Sequence, residues 1–358
     1  MAEPYWINRL ARLDETDAIM ELVRAIHGDA HPELNRAYFE WRYRSGTGFR
    51  AEVVMAEFEG KPIAILPMSI FDFQWQDRFL TGVMITGLLT HPDHRRRGIF
   101  RLLTESVRQL TAERNGVFVM GMPNEASLPG YLKFGGWAYP GLIPMYARVI
   151  DGPAALRPKL GRIGASLVGW APELLFRRRS ALSGMAPVDA ERVERVPGEL
   201  DEVCDEFARE CGTLMIRRTA AYWDWRYRAK PDSNYRTMIV REGGRLLGAV
   251  VTAIQPRAGM DVGMIIDMAA RGGVSSMRQL LQAAEDNFRE CGIGIITCQA
   301  TTPLLHDALA QEGYRRLKDR WLPKKFHYVY RPTGVPGLIK EPSELSDWHL
   351  TFGDSDNT

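Results

Sequence analysis

Residues 37–44 read AYFEWRYR and residues 221–228 read AYWDWRYR. No solenoid has so long a period, so the recurrence marks the duplication of a whole domain. The likeness continues on both sides. AEVVMAEFEGKPIAILPMSI follows the first copy closely, and YRTMIVREGGRLLGAVVTAI the second. Each is a pair of apolar runs split by a glycine turn, Glu59-Gly60 in one and Glu242-Gly243-Gly244 in the other, which predicts a hairpin. NRLARLDETDAIMELVRAI and VERVPGELDEVCDEFAREC precede the copies and predict a short strand and a capped helix. Further on come matched strands (83–90; 262–269), amphipathic helices, strands (116–123; 292–299) and second helices. Each half therefore reads β-α-β-β-β-α-β-α-β, a mixed α/β sheet flanked by helices.

A chain of 358 residues accommodates two such domains. Their expected limits are 1–150 and 189–332, with a connecting segment at 151–188 and a tail at 333–358. The Gly- and Pro-rich connector predicts a helix packed between the domains rather than one lying on a membrane surface. Net charge is +2, which gives no electrostatic case for nucleic-acid binding. No apolar run is long enough to cross a bilayer, which takes about 18 residues. The start of the chain lacks a signal-peptide core, so a cytoplasmic location is expected. Cys204, Cys211, Cys291 and Cys298 form no CxxC pair and predict reduced thiols, with no metal site.

The chemistry begins at THPDHRRRGIFRLLTESV (90–107), where a strand, a loop with three arginines and Gly98, and a helix follow one another. Unpaired N–H groups and a partial positive charge at a helix start hold anions. Gly98 lets a phosphate approach the backbone. Arg95, Arg96 and Arg97 supply matching charge. GMPNEASLPGYLKFGGW follows at 121–137.

Arg95-x-x-Gly98 after a strand, then Asn124 and Tyr131 seven apart, then Lys133, Gly135 and an aromatic, resemble the acyl-CoA core of the GNAT N-acetyltransferase superfamily. The resemblance covers the first half well and the second in element order. It implies two tandem GNAT-like domains and acetyl-CoA as the acyl donor. It also implies that the Leu88, Leu89 and Thr90 backbone pairs with pantetheine, while the backbone around Arg96, Arg97, Gly98, Ile99, Phe100 and Arg101 holds the pyrophosphate. Asn124 would hydrogen-bond near the acyl group or cap the following helix, or both. Tyr131 would protonate the leaving thiolate. Phe100 and Ser127 depart from the family pattern, Phe100 standing where glycine or alanine is usual. The strand before the loop lacks the usual acid, so the base is open: Glu125, Asp267, Asp354 and Asp356 are the candidates, beside a water chain. The second half has ARGGVSSMR in place of the cradle, with neither the asparagine nor the tyrosine, and is expected to bind no CoA.

The resemblance implies direct transfer to a small-molecule amine. An amino sugar of surface-polysaccharide biosynthesis is the first expectation, in a monomer or homodimer without nucleic-acid binding or stable membrane insertion. The alternatives are a non-catalytic CoA-binding scaffold and an aminoacyl transferase of the tandem type.

Overall fold

The structure is a computed structural model that describes residues 6–31, 34–43, 50–134, 136–155, 188–257, 259–322 and 324–355. The connecting helix expected at 151–188 lies almost wholly outside them, as do Gly135 and Asp356. The first half runs β1 (Ile7–Leu10), α1 (Thr16–His27), α2 (Arg36–Tyr43), β2 (Arg50–Phe58), β3 (Lys61–Trp75), β4 (Arg78–Ile85), β5 (Leu89–Thr90), α3 (Ile99–Glu113), β6 (Phe118–Gly121), α4 (Leu128–Lys133), β7 (Ala138–Leu142) and β8 (Met145–Val149). The second runs β9 (Asp189–Val193), α5 (Leu200–Cys211), β10 (Leu214–Ile216), α6 (Ala220–Trp223), β11 (Arg236–Glu242), β12 (Arg245–Arg257), β13 (Met260–Ala270), α7 (Gly273–Glu290), β14 (Ile295–Gln299), α8 (Pro303–Gln311), β15 (Arg315–Arg316) and β16 (His327–Pro332). The two central hairpins turn where expected. Glu59 and Gly60 have φ of 51° and 76°, Gly243 and Gly244 of 57° and 81°, the left-handed pair that a tight hairpin requires.

Two mixed sheets result. One has the order β1-β2-β3-β4-β6-β16-β7, with β5 and β10 also paired to β3, and the other β15-β8-β14-β13-β12-β11-β9. The two halves exchange their last strands. β16, from the second half, sits between β6 and β7, and β8, from the first, sits between β14 and β15. A single core accordingly spans both sheets, with Phe71, Phe118 and Met120 packed among Phe207, Tyr222, Tyr328 and Trp348. A smaller cluster under α3 and α4 contains Leu103, Val119 and Tyr131. Among the described residues no helix is long and apolar enough to cross a membrane.

The duplicated phrase forms helix in both copies, α2 and then α6 with the turn Asp224–Arg228 that continues it. This helix and the second terminal strand extend the element order expected from the sequence. Aromatics are indifferent helix formers, so packing supplies the stability: Phe39, Trp41, Tyr43, Tyr222, Trp223, Trp225 and Tyr227 are all buried. The copies meet. Trp41 and Trp225 stack at 5.3 Å with rings 21° apart. The Trp41 Nε1–H donates to the Trp225 carbonyl at 2.8 Å, and the Trp225 Nε1–H to the Trp41 carbonyl at 3.2 Å. Such reciprocity is the mark of a local two-fold axis between repeats. The phrase is therefore a joint between halves.

The tail is built in as far as Ser355. Trp348, Leu350 and Phe352 are buried, and the Thr301 hydroxyl accepts from the Leu350 N–H at 2.9 Å. The apolar alternation of the tail reads in the structure as insertion into the core, with one isolated bridge from Leu214 to Trp348.

Candidate active site

The phosphate-loop geometry starts at Gly98. Its φ is +84°, a left-handed conformation that strains any L side chain. Open space surrounds the place a Cβ would occupy. The first bond of α3 runs from the Leu102 N–H to the Gly98 carbonyl at 3.3 Å. Helix geometry therefore leaves the Ile99, Phe100 and Arg101 N–H groups over at the helix start. Arg95, Arg96, Arg97 and Arg101 stand exposed around it, and the Arg95 Nε–H donates to the Thr90 carbonyl at 3.2 Å. The Phe100 ring turns inward, edge-on to Tyr131 at 4.9 Å, and leaves the cradle open.

Beside the cradle the sheet splits. β4 and β6 pair in parallel from Gly82–Phe118 to Ile85–Gly121 and then part. β5 continues along β3, carried there by a bulge at Thr86–Leu88 in which Gly87 has φ +55°. Thr86, Gly87, Leu88 and Leu89 face Met122, Pro123 and Asn124 across the gap, and a cavity of about 660 Å³ opens there. Strand edges that part leave backbone groups for an extended ligand such as a pantetheine arm.

Tyr131 and Asn124 both line this cavity. Tyr131 is buried, and burial pushes its phenol pKa up, so it stays protonated and able to donate. The Asn124 Oδ1 accepts from the Ala126 and Ser127 N–H groups at 3.1 and 2.9 Å. The bonds close the turn that leads into α4, whose N-cap is Ser127, and they occupy the amide oxygen.

Glu125, expected as a catalytic candidate, is not among the residues that line this cavity. It is 66% exposed and bound to the Lys325 ammonium at 2.6 Å, whose hydrogen bond and charge lower its pKa. It borders a separate shallow depression with Leu128, Pro129, Leu132, Lys133 and His327. Asp267 lies beneath the cavity, where it accepts from the Arg218 Nε–H at 2.8 Å and the Tyr227 hydroxyl at 2.6 Å. Asp354, brought in by the tail, is the acid among the described residues of the cavity wall. Its Oδ2 accepts from the Arg218 Nη2–H at 2.7 Å and the Thr351 N–H at 2.8 Å. Its buried Oδ1 has no hydrogen-bond partner among the described residues. Burial raises its pKa against the opposing pull of Arg218. Arg226, from the repeated phrase, fixes the same segment by donating to the Gly353 and Ser355 carbonyls at 2.9 and 2.7 Å. Arg218 went unrecognised in the sequence because its partners lie 49 and 136 positions away, so no local pattern reveals it.

The corresponding place in the second half is filled from within. Gly272, φ +88°, begins α7. The Glu210 carboxylate accepts from the Gly272 and Gly273 N–H groups at 3.0 and 2.9 Å. A side-chain anion sits where the first half would place a phosphate.

Comparison with known proteins bears on the fold. The family described as an acetyltransferase (GNAT) domain matches residues 8–139. No curated protein matches. Among solved structures, a GCN5-related N-acetyltransferase from Anabaena variabilis ATCC 29413 is similar over 92% of this chain and 73% of its own, at TM-score 0.64 and 12% identity. A conserved protein of unknown function from Enterococcus faecalis V583 is similar over 93% of this chain and 74% of its own, at TM-score 0.63 and 11% identity. Saccharomyces cerevisiae N-myristoyltransferase, with bound myristoyl-CoA and inhibitors, is similar over 92% and 81%, at TM-score 0.56 and 8% identity.

Proposed function

We propose that this chain, a tandem member of the GNAT N-acetyltransferase superfamily, transfers the acyl group of acetyl-CoA directly to the amine of a small polar acceptor such as an amino sugar. One observation carries the reading: a single cavity joins the split between β4 and β6 to Tyr131 on one side and Asp354 on the other. The pyrophosphate would lie on the N–H groups of Ile99 to Arg101, with pantetheine along Leu88–Thr90. The acceptor amine enters from the side of α1, α2 and the tail. Its nitrogen attacks the thioester carbonyl and forms the C–N bond while Asp354 takes the amine proton. The C–S bond breaks, its electron pair leaves on sulfur, and Tyr131 returns a proton to the thiolate. Burial raises the Tyr131 pKa above the ordinary phenol value and keeps it protonated, so its hydroxyl is at hand to donate as the C–S bond breaks. Arg218 holds Asp354 through Oδ2 and leaves Oδ1 without a hydrogen-bond partner among the described residues.

Titration calorimetry of acetyl-CoA against wild type and Gly98→Glu tests the donor site. Wild type is expected to bind at micromolar level. The variant is expected to lose binding, because its carboxylate repels the pyrophosphate and its φ is strained. If neither protein binds, the acetyltransferase reading fails. Thiol release with a panel of amines then measures turnover, and Tyr131→Phe is expected to lower kcat about 10²-fold or more with acetyl-CoA affinity retained. Unchanged turnover in that variant removes Tyr131 as the acid.

A further inference from the structure

In and beside α4, Ser127, Gly130, Tyr131 and Phe134 line the cavity, at the spacing of one helix face. The other side carries Leu128, Pro129, Leu132 and Lys133, which line the shallow depression with Glu125 and His327. A surface helix ordinarily turns polar residues outward. Here the outward side is mostly apolar, and Leu132 is 50% exposed. The segment 318–325 adjoins it, fastened by the Lys325–Glu125 ion pair at 2.6 Å. Its most exposed apolar side chain is Trp321, 60% exposed, in the short turn Asp319–Trp321. Four residues of chain keep Trp321 within about 15 Å of Lys325. The Lys318 ammonium and the Arg320 guanidinium lie over the Trp321 ring at 5.5 and 5.3 Å, and the Lys133 ammonium lies over Phe134 at 5.5 Å. These three cations meet aromatic rings and no carboxylate among the described residues. With Lys325 they are four basic groups, against the two acids Asp319 and Glu125.

We propose that this face docks peripherally on an anionic lipid surface, with α4 standing between the bilayer and the cavity. The face makes two demands, a cover for its aliphatic and indole groups and a counter-charge for the cations around them. The boundary between lipid headgroups and acyl chains meets both at one depth. Trp321 and Leu132 enter it, while the lysine and arginine stems reach back to the headgroup phosphates. A nucleic acid would supply phosphates and a base for the indole to stack on, but would leave Leu128, Pro129 and Leu132 uncovered. No described helix is long and apolar enough to cross a membrane, so the contact lies at the surface of the bilayer. The docking goes beyond the acyltransferase reading and does not depend on it.

Co-sedimentation of the full chain with sucrose-loaded vesicles tests the docking without requiring turnover. Vesicles of phosphatidylglycerol and phosphatidylcholine in equal parts are compared with vesicles of phosphatidylcholine alone. The expected result is about tenfold or more tighter partition onto the anionic vesicles, weakening as salt is added. Trp321→Ser, Leu132→Ser and the double variant Lys318→Ser with Arg320→Ser are each expected to lower that partition severalfold. All four positions are exposed, so urea unfolding and the affinity for acetyl-CoA should match wild type. Equal partition onto the two kinds of vesicle, or none onto either, overturns the proposal. So does anionic binding that persists undiminished in Trp321→Ser and in the double variant, because another surface then makes the contact. Tighter binding to a single-stranded oligothymidylate than to the anionic vesicles assigns the face to nucleic acid and overturns it as well. Wild type that binds these vesicles but not acetyl-CoA refutes the acyltransferase reading alone and leaves the docking standing.

Discussion

Replacing Asp354 by Asn separates the chemistry of the tail from its structural role. The substitution keeps the shape and removes the proton-accepting charge. A positioned general base contributes about 10²–10⁴-fold, which corresponds to about 3–5 kcal/mol of barrier, and kcat for the best amine is expected to fall by that factor. The acetyl-CoA affinity should hold, because Asp354 lies on the far side of the split from the cradle. Stability should change less than activity. One charge-assisted bond from Arg218 becomes a neutral one, about 1–2 kcal/mol, while Arg218 keeps its bond to Asp267. Burial raises the Asp354 pKa, so the wild-type rate should fall in acid as the carboxylate protonates, and Asp354→Asn should lose that limb of the profile. Steady-state thiol release across pH, beside urea unfolding, reads both quantities. A variant with kcat within threefold of wild type and the same acid limb would show that the proton leaves by another route, such as water. A matched loss of activity and of folded protein would make Asp354 structural only.

Two further predictions concern the joint between the halves. Trp41→Phe and Trp225→Phe each remove one indole N–H and leave a buried carbonyl short of a donor, a cost of about 1–3 kcal/mol. A double-mutant cycle in urea should give a coupling of about 0.5–1.5 kcal/mol from the stacked pair, and strict additivity would refute the reciprocal joint. Glu285, buried under the exchanged strand β8, has its pKa raised to about 7 from 4.5, with burial the largest cause and Arg148 and Arg289 pulling down. Between those values the folded state holds a proton that the unfolded state has released. This group's stabilisation is thus complete below about pH 4.5 and is lost as pH rises toward 7, by about 3 kcal/mol. Urea unfolding of wild type and Glu285→Gln should diverge across that window and run parallel outside it; parallel curves throughout would refute the shift.

Much of this was legible from local pattern. Glu59-Gly60 and Gly243-Gly244 announce hairpins because a tight turn demands left-handed φ, and that demand is written in two or three adjacent residues. The left-handed helix start at Gly98 was legible for the same reason, since strand, glycine and helix are contiguous. Asn124 and Tyr131 lie seven positions apart, one before α4 and one within it, and both line the cavity. Asp354 was one of four candidate acids in the sequence, and which of them reaches the cavity was not legible. The cavity wall there combines α1, α2, residue 324 and the tail, and a spacing rule cannot carry information across such distances. Glu125 was the nearest acid in sequence, yet the turn that the Asn124 side chain closes before α4 leaves the neighbouring side chain facing Lys325 and solvent.

The amino-acid sequence by itself determined the duplication, the order of most elements, and the strand, glycine and helix start at Gly98 with its arginines, which the second half does not repeat. Each depends on interactions within a few residues or on comparing one stretch with another. Only the tertiary structure decided that β8 and β16 change sheets, that Trp41 and Trp225 close a two-fold joint, and that Glu210 fills the second cradle. It also decided that Arg218 and Arg226 draw the tail, and Asp354 with it, to the cavity wall. The reason is common to all of them. A strand's sequence states which face it buries and leaves its neighbour open, and an ion pair across more than a hundred residues exists only once the core has brought its two ends together.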